Sequence, residues 1–480
     1  MDALRGWNLL NQACGREPVI AVVGGGASGT LLAAHLLRAA ATRRFPARVA
    51  LIDRHGRHGL GQAYSTAHPG HLLNAPAAQL SALADDPDHL AQWAGPAAAA
   101  GAAFLPRHAY GRYLRETLAE AQRLAQPLAQ LSQLTSEVVA IRRNAAGRPL
   151  RLALAGGWLD ADIAVLATGS LPPVLPFAAP ASRRIIADPW APGALDVVGN
   201  CSAVIVVGTG LTAIDIAIAL TSANPMRVVH AVSRHGLLPR VHRGAPGRRS
   251  PIWLPVTATA TGPVRLTELS WQIRSAMAAH ADRWQDVVDA LRPSIPGLWQ
   301  RMPLADKRMF LRHVARYWEV HRHLMPPDTA RRVAELRSAG RLPVRQGLIT
   351  EVTEHDGQVD VRLSQGDRAT EITGGWLING TGPGTDVTVT ADPLQRDLLA
   401  SGLARPDPLL LGIDATTGGA VIDASGAPSD SIFTLGPPLR GLLYETTAIP
   451  EIRRQAAALA AHLTASNQAH ETRRRPGSAA

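Results

Sequence analysis

Short apolar runs that end in glycine recur along the chain and predict the strands of an α/β fold. The run "VIAVV" at 19–23 leads through "GGGASG" into an apolar helical stretch, and "RVALID" at 48–53 follows as the next strand. A second unit repeats this order, with "AVIVV" at 203–207, the turn "GTGLTA" and the strand "RVVHAVS" at 227–233. Continuous apolar runs of this length are typical of strands buried on both faces of a parallel sheet. The pattern therefore predicts two Rossmann-like strand–turn–helix–strand units.

The segments around these units predict the remaining elements. A proline-rich stretch, "SLPPVLPFAAPAS", separates the units and suits a crossing between domains, because proline disfavours both helix and central strand. The other segments are predicted to be loops and then helix over 54–130, strands over 135–168, mostly helix over 264–340, short strands over 341–382, and a strand near 431 followed by a helix to about 465.

The predicted fold class is α/β, with two Rossmann-like dinucleotide-binding domains, the second inserted into the first, and a mostly helical segment. A chain of 480 residues exceeds one ordinary domain. The predicted boundaries are 1–190 for the first part of the first domain, 191–370 for the inserted domain with its helical segment, 371–465 for the closing part of the first domain, and 466–480 for a disordered basic tail.

The first glycine turn has the spacing of a dinucleotide fingerprint, Gly24-x-Gly26-x-x-Gly29. In such a turn the first glycine permits the tight turn, the second lets the backbone approach a pyrophosphate, and the third lets helix and strand pack closely. Ser28 belongs to the same turn, and the N-terminus of the helix presents free N–H groups to phosphates. Asp53 ends the next strand, where a carboxylate can accept hydrogen bonds from ribose hydroxyls. We expect an adenosine ribose with a free 2′-hydroxyl, which fits FAD; the alternative is a tight structural turn.

The second glycine turn, Gly208-x-Gly210-x-x-Ala213, has alanine in the third place, which is allowed where only close packing is required. Its second strand ends in "SRHG" and supplies no acid. Arg234 lies where the ribose is expected, and a basic site there favours the 2′-phosphate of NADPH over NADH. A solvated Arg234 without that role remains the alternative. Two turns thus predict two dinucleotides, FAD and NADPH or NADH, which exchange hydride.

Four further residues are predicted near the cofactors. Gly169 and Gly382 end the segments "AVLATG" and "INGTG", where small residues let the chain pass close to a bound nucleotide. Asn74 and Arg107 lie in polar, histidine-bearing stretches that follow the first unit and are candidates to reach flavin or substrate. Simple surface polarity explains the last two equally well.

The stretch "KRMFLRHVARYWEVHRHLMPP" at 307–327 predicts one helix. Its aromatic face is mostly typical of core packing, and a wall of the substrate or nicotinamide site is the alternative. Its histidines are not spaced for one metal cluster, so we predict no metal site.

The positive net charge makes nucleic acid a possible partner. The formal charge is +11 and the pI is about 10.8, but Lys307 is the only lysine and arginine is scattered along the whole chain. We therefore predict no nucleic-acid partner. The N-terminal stretch shows no signal peptide, and no apolar run reaches the roughly 18 residues of a membrane span. The two cysteines form no disulfide framework and no CxxC, so we expect a cytoplasmic protein without a membrane association.

These motifs together resemble the FAD/NAD(P)-binding flavoprotein monooxygenases that include FAD-dependent urate hydroxylases and aspartate N-monooxygenases. The resemblance spans about residues 18–460 and rests on "VVGGGASG", "GLGQAY", "FLPRHAYGRYL", "LATGSLPP", "VVGTGLTAID", "FLRHVARYWEVHRH", "INGTGP" and "LGPPLRGLLYETTAIPEIR". It implies FAD at the first turn and NAD(P)H at the second. It also implies that the closing segment returns to the flavin through Gly436, Leu443 and Glu445.

The activity that the resemblance implies is insertion of one oxygen atom from O2 into a small molecule, through a C4a-hydroperoxyflavin. Urate hydroxylation in purine catabolism is the favoured substrate reading, since arginine suits an anionic, nitrogen-rich ring. N-hydroxylation of an amino acid, aspartate-type, is the alternative, and a flavin oxidoreductase without oxygen insertion is a second one. A nucleotide-sensing or nucleic-acid-binding protein that merely holds FAD is a third. No nucleophile–base arrangement stands out, so no catalytic residue and no oligomeric state is predicted.

Overall fold

The computed structural model describes residues 17–99, 103–144, 148–243, 252, 254 and 262–474. The described strands are β1 (Val19–Val23), β2 (Ala47–Asp53), β3 (Ala129–Thr135), β4 (Val138–Arg143), β5 (Leu150–Leu154), β6 (Gly157–Ala161), β7 (Ile163–Leu166), β8 (Ile185–Ile186), β9 (Ala203–Val207), β10 (Val228–Ser233), β11 (Val344–Gln346), β12 (Leu348–His355), β13 (Gln358–Gln365), β14 (Arg368–Gly374), β15 (Leu377–Asn379), β16 (Ala420–Ile422) and β17 (Pro428–Thr434). The described α-helices are α1 (Ala27–Arg43), α2 (His89–Ala94), α3 (Pro96–Ala99), α4 (Arg107–Ala125), α5 (Leu211–Ala223), α6 (Leu266–Ala279), α7 (Trp284–Leu291), α8 (Ile295–Arg301), α9 (Leu304–His313), α10 (Ala315–Arg322), α11 (Pro327–Ser338), α12 (Pro393–Ala400), α13 (Arg440–Leu443) and α14 (Ile449–Arg474).

The first sheet has the strand order β16-β17-β7-β1-β2-β3, and all its neighbours are parallel except β16 and β17. Strand β1 is buried at every position, as its continuous apolar sequence requires. Ile20 and Val22 enter one core with helices α1, α4 and α14. Val19 and Ala21 enter a second core on the opposite face. The sheet is therefore covered on both sides, as in a doubly wound fold.

The second sheet has the order β11-β10-β9-β15-β8 and is parallel throughout. Val204 and Val206 of β9 pack with α5 and α11, whereas Ile205 and Val207 pack on the other face. The prediction of two Rossmann-like units in an α/β fold is confirmed.

The internal repeat extends beyond the two glycine turns. An antiparallel three-stranded sheet, β4-β5-β6, separates β3 from β7 in the first unit. A second one, β12-β13-β14, separates β11 from β15 at the equivalent place in the second unit. The sheet β4-β5-β6 packs against the face of the first sheet that carries Val19 and Ala21. The sheet β12-β13-β14 packs against the face of the second sheet that carries Ile205 and Val207. The two units therefore share one plan over most of their length.

Two strands of the second sheet lie outside the predicted range 191–370. Strand β8 precedes this range and β15 follows it. Both belong to the second sheet, because β15 pairs with β9 and β8 pairs with β15. At the C-terminus, α14 runs to Arg474, past the predicted helix end near 465. The first part of the predicted disordered tail is thus helical, and 475–480 lie outside the described residues.

Helices α6 to α10 form the predicted helical segment and build their own apolar cluster around Leu291, Leu298 and Trp299. This cluster includes Tyr444 of the closing segment, and the Trp299 indole N–H donates to the Gly441 carbonyl at 2.7 Å. The helical segment therefore packs against the first domain, although in the chain it lies between β10 and β11 of the second unit. Among the described helices, none is both long and apolar enough to cross a membrane.

Candidate functional site

The first glycine turn is built around backbone contacts that leave no room for side chains at two of its positions. Gly24 has φ +110°, and a Cβ there would lie 2.2 Å from the Ala167 carbonyl oxygen. A Cβ at Gly29 would lie 1.9 Å from the Gly24 carbonyl oxygen. Gly26 differs, because it begins α1 and the nearest atom to its missing Cβ is 3.5 Å away, on Gly61. The space over Gly26 is the space that a phosphate group would use.

Asp53 ends β2 beside this turn. Its carboxylate accepts backbone hydrogen bonds from Gly25 at 3.1 Å, His55 at 2.9 Å and Arg57 at 3.0 Å. Burial raises the pKa of Asp53, but these hydrogen bonds outweigh burial and bring its pKa below the usual value. The side chain is therefore an anion that orders the turn, and it is only half-buried.

The closing segment returns to the first turn at Gly436. This residue has φ +75°, and a Cβ there would lie 2.6 Å from the Ser28 hydroxyl. Its N–H donates to Gln455 at 2.7 Å, and the Thr446 hydroxyl donates to its carbonyl at 2.8 Å. The structure thus brings Gly436 against Ser28, two predicted site residues that are over 400 positions apart.

The second turn repeats the geometry of the first. Gly208 has φ +121°, and a Cβ there would lie 2.3 Å from the Gly380 carbonyl oxygen. Ala213 is buried and faces Gly380, whose own Cβ would lie 3.2 Å from the methyl of Ala213. Gly210 begins α5, and the nearest atom to its missing Cβ is the Arg316 Nη1, at 3.8 Å. Packing therefore fixes the first and third positions, and the second is open to a ligand.

A cavity of about 680 Å³ lies over the second turn. One end is lined by the turn itself and by the residues that follow β10, including the exposed Arg234 and His235. The other end is lined by α10 and by the closing segment, including Tyr444 and Glu445. The cavity therefore extends from the predicted ribose position of the second unit to the segment that returns to the first turn.

Helix α10 carries the cavity wall that joins these two ends. The Glu445 carboxylate accepts hydrogen bonds from the Trp318 indole at 3.1 Å and from the Arg322 guanidinium at 3.1 Å. Arg322 and Glu445 are both largely buried, so this is a desolvated ion pair between the helical segment and the closing segment. Next to it, Glu319 pairs with Arg440 at 3.3 Å. Burial also holds the pKa of His323, another lining residue, well below its ordinary value, so its imidazole is neutral at neutral pH.

A smaller hollow lies where the chain crosses between the two sheets. It is lined by Gly169 and its neighbours after β7, by Pro383 and Gly384 after β15, and by residues near Gly412 and Pro437. Pro383, Arg440 and Thr447 line both this hollow and the large cavity. The two spaces therefore share these three lining residues.

Comparison with known families supports the dinucleotide reading of the first unit. Residues 21–171 match a family model described as FAD-NAD(P)-binding. We call residues 21–171 the FAD-NAD(P)-binding region, after this description. It contains the first glycine turn, Asp53 and the stretch through β7. The predicted cofactors, FAD and NAD(P)H, are confirmed at the level of this family description. No curated protein sequence matches the chain.

Solved structures with similar folds extend the comparison beyond the FAD-NAD(P)-binding region. The ornithine N-hydroxylase of Kutzneria sp. 744 has 15% identity and a TM-score of 0.61, over 94% of this chain and 100% of that one. The ornithine hydroxylase of Pseudomonas aeruginosa has the same identity and TM-score, over 94% and 99%. The L-lysine 6-monooxygenase of Pseudomonas syringae has 15% identity and a TM-score of 0.59, over 94% and 100%. At these identities the likeness establishes the fold.

The structure places the remaining predicted residues in different surroundings. Gly169, with φ +71°, and Gly382, with φ +92°, have open space where a Cβ would be. Leu443 is half-buried at the end of α13, and Asn74 is half-buried after Leu73. Both keep the cofactor role only as a prediction.

Arg107 has a partner that the sequence did not indicate. Its guanidinium lies 2.6 Å from the buried carboxylate of Asp215, in α5 of the second unit. It also donates to the Leu72 carbonyl at 3.3 Å. Arg107 therefore joins the FAD-NAD(P)-binding region to the second unit, and its contact with a cofactor stays a prediction.

The segment 307–327 does not form one helix, as predicted, but two, α9 and α10, which meet at Val314. The break turns Arg316 toward Thr209 and Trp318 toward Glu445. The sequence did not indicate that Arg316 and Glu319 line the cavity, or that Arg322 pairs with Glu445. Among the described residues, no group of three or more His, Cys, Asp or Glu side chains is placed to hold a metal ion.

Proposed function

We propose that the protein is an FAD- and NAD(P)H-dependent monooxygenase that hydroxylates nitrogen on a small anionic molecule, with an acidic amino acid as the first candidate. The observation that carries this proposal is the position of Pro383, Arg440 and Thr447, which line both the cavity over the second turn and the smaller hollow beside Gly169. A donor nucleotide and a flavin with a common wall fit one oxidoreductase centre. The likeness of fold to three amine hydroxylases supports the choice of nitrogen.

FAD is assigned to the first turn and the nicotinamide nucleotide to the second. The residues fit these groups: Gly26 and Gly210 each begin a helix without a side chain, so neither can cap the N–H groups that a pyrophosphate would use. The residues proposed to hold FAD are Gly24, Gly26, Ser28, Gly29, Asp53, Gly169, Gly436 and Leu443. The residues proposed to hold NAD(P)H are Gly208, Gly210, Ala213, Arg234 and Gly382.

The chemistry that bound FAD supplies is acceptance of hydride from NAD(P)H and delivery of electrons to O2. The chain's own part is to enclose the reacting groups. Trp318 and Tyr444 close one side of the cavity, and the Glu445–Arg322 pair fixes the wall that carries them. Exclusion of water at this place strengthens every charge interaction within the cavity.

The charge of the cavity favours anionic ligands, which include the phosphates of the nucleotide as well as an anionic substrate. Its lining includes the guanidinium groups of Arg234, Arg316 and Arg440 against the carboxylates of Glu319 and Glu445. Because Arg322 already pairs with Glu445, the remaining balance is positive. Urate, favoured on sequence, and an acidic amino acid both suit this balance. The fold comparisons support the amine, and urate hydroxylation has no support from them.

The test is substrate-dependent NADPH oxidation by the FAD-loaded protein in air. L-aspartate, L-glutamate, L-ornithine, L-lysine and urate are compared, with hydrogen peroxide and hydroxylamine product measured in parallel. We expect L-aspartate or L-glutamate to stimulate NADPH use and to give hydroxylamine in proportion. Stimulation by urate with urate loss would restore the purine assignment. NADPH use that no compound changes, with electrons passed only to an artificial acceptor, would identify a flavin oxidoreductase without oxygen insertion.

A further inference from the structure

Helix α10 places one arginine directly over the second glycine turn. The Arg316 guanidinium donates to the Thr209 hydroxyl at 3.3 Å and to the Leu237 carbonyl at 3.1 Å. Its Nη1 is the nearest atom to the missing Cβ of Gly210, at 3.8 Å. Arg316 comes from the helical segment, 106 positions after Gly210, so it is not part of the fingerprint itself.

The Arg316 guanidinium and the N-terminus of α5 lie beside the same open position, at Gly210. Gly210 is the N-cap of α5, a helix of 13 residues whose first N–H groups carry a partial positive charge. Thr209, between the two glycines, is buried and tied to Ser233 at 2.9 Å, so the turn itself is rigid. Arg316 is thus a fixed planar donor beside a fixed set of N–H groups, with the open position at Gly210 between them.

The existing ion pair of Arg316 leaves it available to a ligand. Its partner Glu319 lies at 3.4 Å, and both side chains are about 30% exposed. Glu319 also pairs with Arg440 at 3.3 Å, so its charge is shared between two guanidinium groups. A partly exposed, shared pair of this kind contributes little, so a pyrophosphate, with one negative charge on each phosphate, can compete for Arg316.

We propose that Arg316 is the side chain that binds the pyrophosphate of the nicotinamide nucleotide in the second site. This inference rests on the proposed assignment of that turn to NAD(P)H. The planar guanidinium can donate two parallel hydrogen bonds to a pair of phosphate oxygens. It would add these donors to the N–H groups at the start of α5. The helical segment thereby contributes to nucleotide binding as well as to the cavity wall.

The proposed role separates Arg316 from Arg234. The pyrophosphate is common to NADPH and NADH, whereas the 2′-phosphate belongs to NADPH alone. Loss of Arg316 should therefore weaken both nucleotides by the same factor. Loss of Arg234 should weaken the phosphorylated nucleotide selectively.

The experiment measures the Kd of NADP⁺ and NAD⁺ by calorimetry on FAD-loaded protein. Arg316→Gln is compared with wild type and with Arg312→Gln, which removes the same charge from an exposed position of α9. We expect the Arg316 variant to raise both Kd values about 10-fold, the loss of a hydrogen bond to a charged group, and the Arg312 variant to leave them unchanged. FAD content and thermal unfolding serve as checks of folding. Arg316→Lys, which keeps the charge without the fork, is expected to show a smaller loss.

Three results would overturn the inference. Unchanged Kd values in both Arg316 variants would show that the guanidinium does not touch the nucleotide. A loss confined to NADP⁺ would move Arg316 to the 2′-phosphate. If wild type retains FAD but binds neither nucleotide, the assignment of the second turn fails as well, and the inference fails with it.

Discussion

The Arg107 guanidinium lies 2.6 Å from the carboxylate of Asp215, and this contact joins the first domain to helix α5 of the second. The imidazole of His71 adds a second link, with its Nε2 at 2.9 Å from the backbone carbonyl of Asp215. Gly70 packs beside Ile218 one turn further along α5. Since α5 begins at the second glycine turn, these contacts hold the proposed phosphate position at a fixed place relative to the first domain.

Asp215 and His71, which both titrate at this contact, change the folding stability in opposite directions as pH rises. Burial raises the pKa of Asp215 to about 6, against the opposing charge of Arg107. Burial lowers the pKa of His71 to about 4. Between pH 4 and 6, the folded protein keeps a proton on Asp215 that the unfolded chain has lost, so stability falls as pH rises. Between pH 4 and 6.5, the unfolded chain protonates His71 and the folded protein does not, so stability rises with pH.

Single substitutions should uncover these opposing contributions. We expect Asp215→Asn to make the unfolding temperature rise more steeply with pH than in wild type, because only the His71 contribution remains. We expect His71→Gln to make it rise less steeply. Each group contributes at most about 1.4 kcal/mol per pH unit to the slope. The measurement is thermal unfolding of each protein across the range from about pH 4 to 7. Parallel pH profiles for wild type and both variants would contradict the assignment.

Gly208 and Gly210 should respond differently to the same substitution. Gly208→Ala places a Cβ 2.3 Å from a carbonyl oxygen at φ +121°, so we expect a loss of stability of about 1–3 kcal/mol or more. Gly210→Ala meets nothing closer than 3.8 Å, so it should fold normally and weaken NADPH binding about 10-fold by filling the phosphate space. Thermal unfolding and calorimetry on the two variants separate the effects. Unchanged NADPH affinity in the Gly210 variant would remove the second turn as the nucleotide site.

Asp53→Ala should reduce the FAD content of the purified protein. It should also destabilise the chain by about 1–3 kcal/mol, because three backbone N–H groups lose their acceptor. Flavin absorbance relative to protein and the unfolding temperature measure the two effects. Asp85→Ala is the matched control, since Asp85 is an exposed carboxylate paired with Arg38 at the surface. Stoichiometric FAD in the Asp53 variant would show that this carboxylate does not hold the ribose.

Arg234→Ala should raise the KM for NADPH about 10-fold and leave that for NADH nearly unchanged, because only NADPH carries the 2′-phosphate. Arg234 is exposed at the end of β10 and lines the cavity, so its loss should not disturb folding. Steady-state rates with each nucleotide provide the measurement. Arg240→Ala, at another exposed position a few residues further along the chain, is the control. Equal effects on both nucleotides would exclude the phosphate contact.

The sequence predicted the two units well because their signals are local. Apolar runs of five residues specify buried parallel strands, and glycines that allow close backbone contact mark both turns. The resemblance also implied that the closing segment returns to the flavin. Gly436 lies against Ser28 of the first turn, and a contact with flavin stays a prediction. What the sequence indicated poorly was the wall built by α10. The break at Val314 has no glycine or proline, and the side chains it redirects find their partners over 100 positions away, at Thr209 and Glu445.

The two crossings between the sheets run side by side, with Leu171 and Gly384 joined as an antiparallel bridge and an N–H to carbonyl distance of 3.2 Å. The chain thus leaves the first domain and re-enters it at one place. In topological terms, the whole stretch between Leu171 and Gly384 is a cassette inserted into a single loop of the first domain. A short turn could close that loop without it, and the cassette could be exchanged as one piece. Nucleotide preference could therefore change by replacing the cassette, provided that the replacement keeps the contacts of Asp215 with Arg107 and of Arg322 with Glu445.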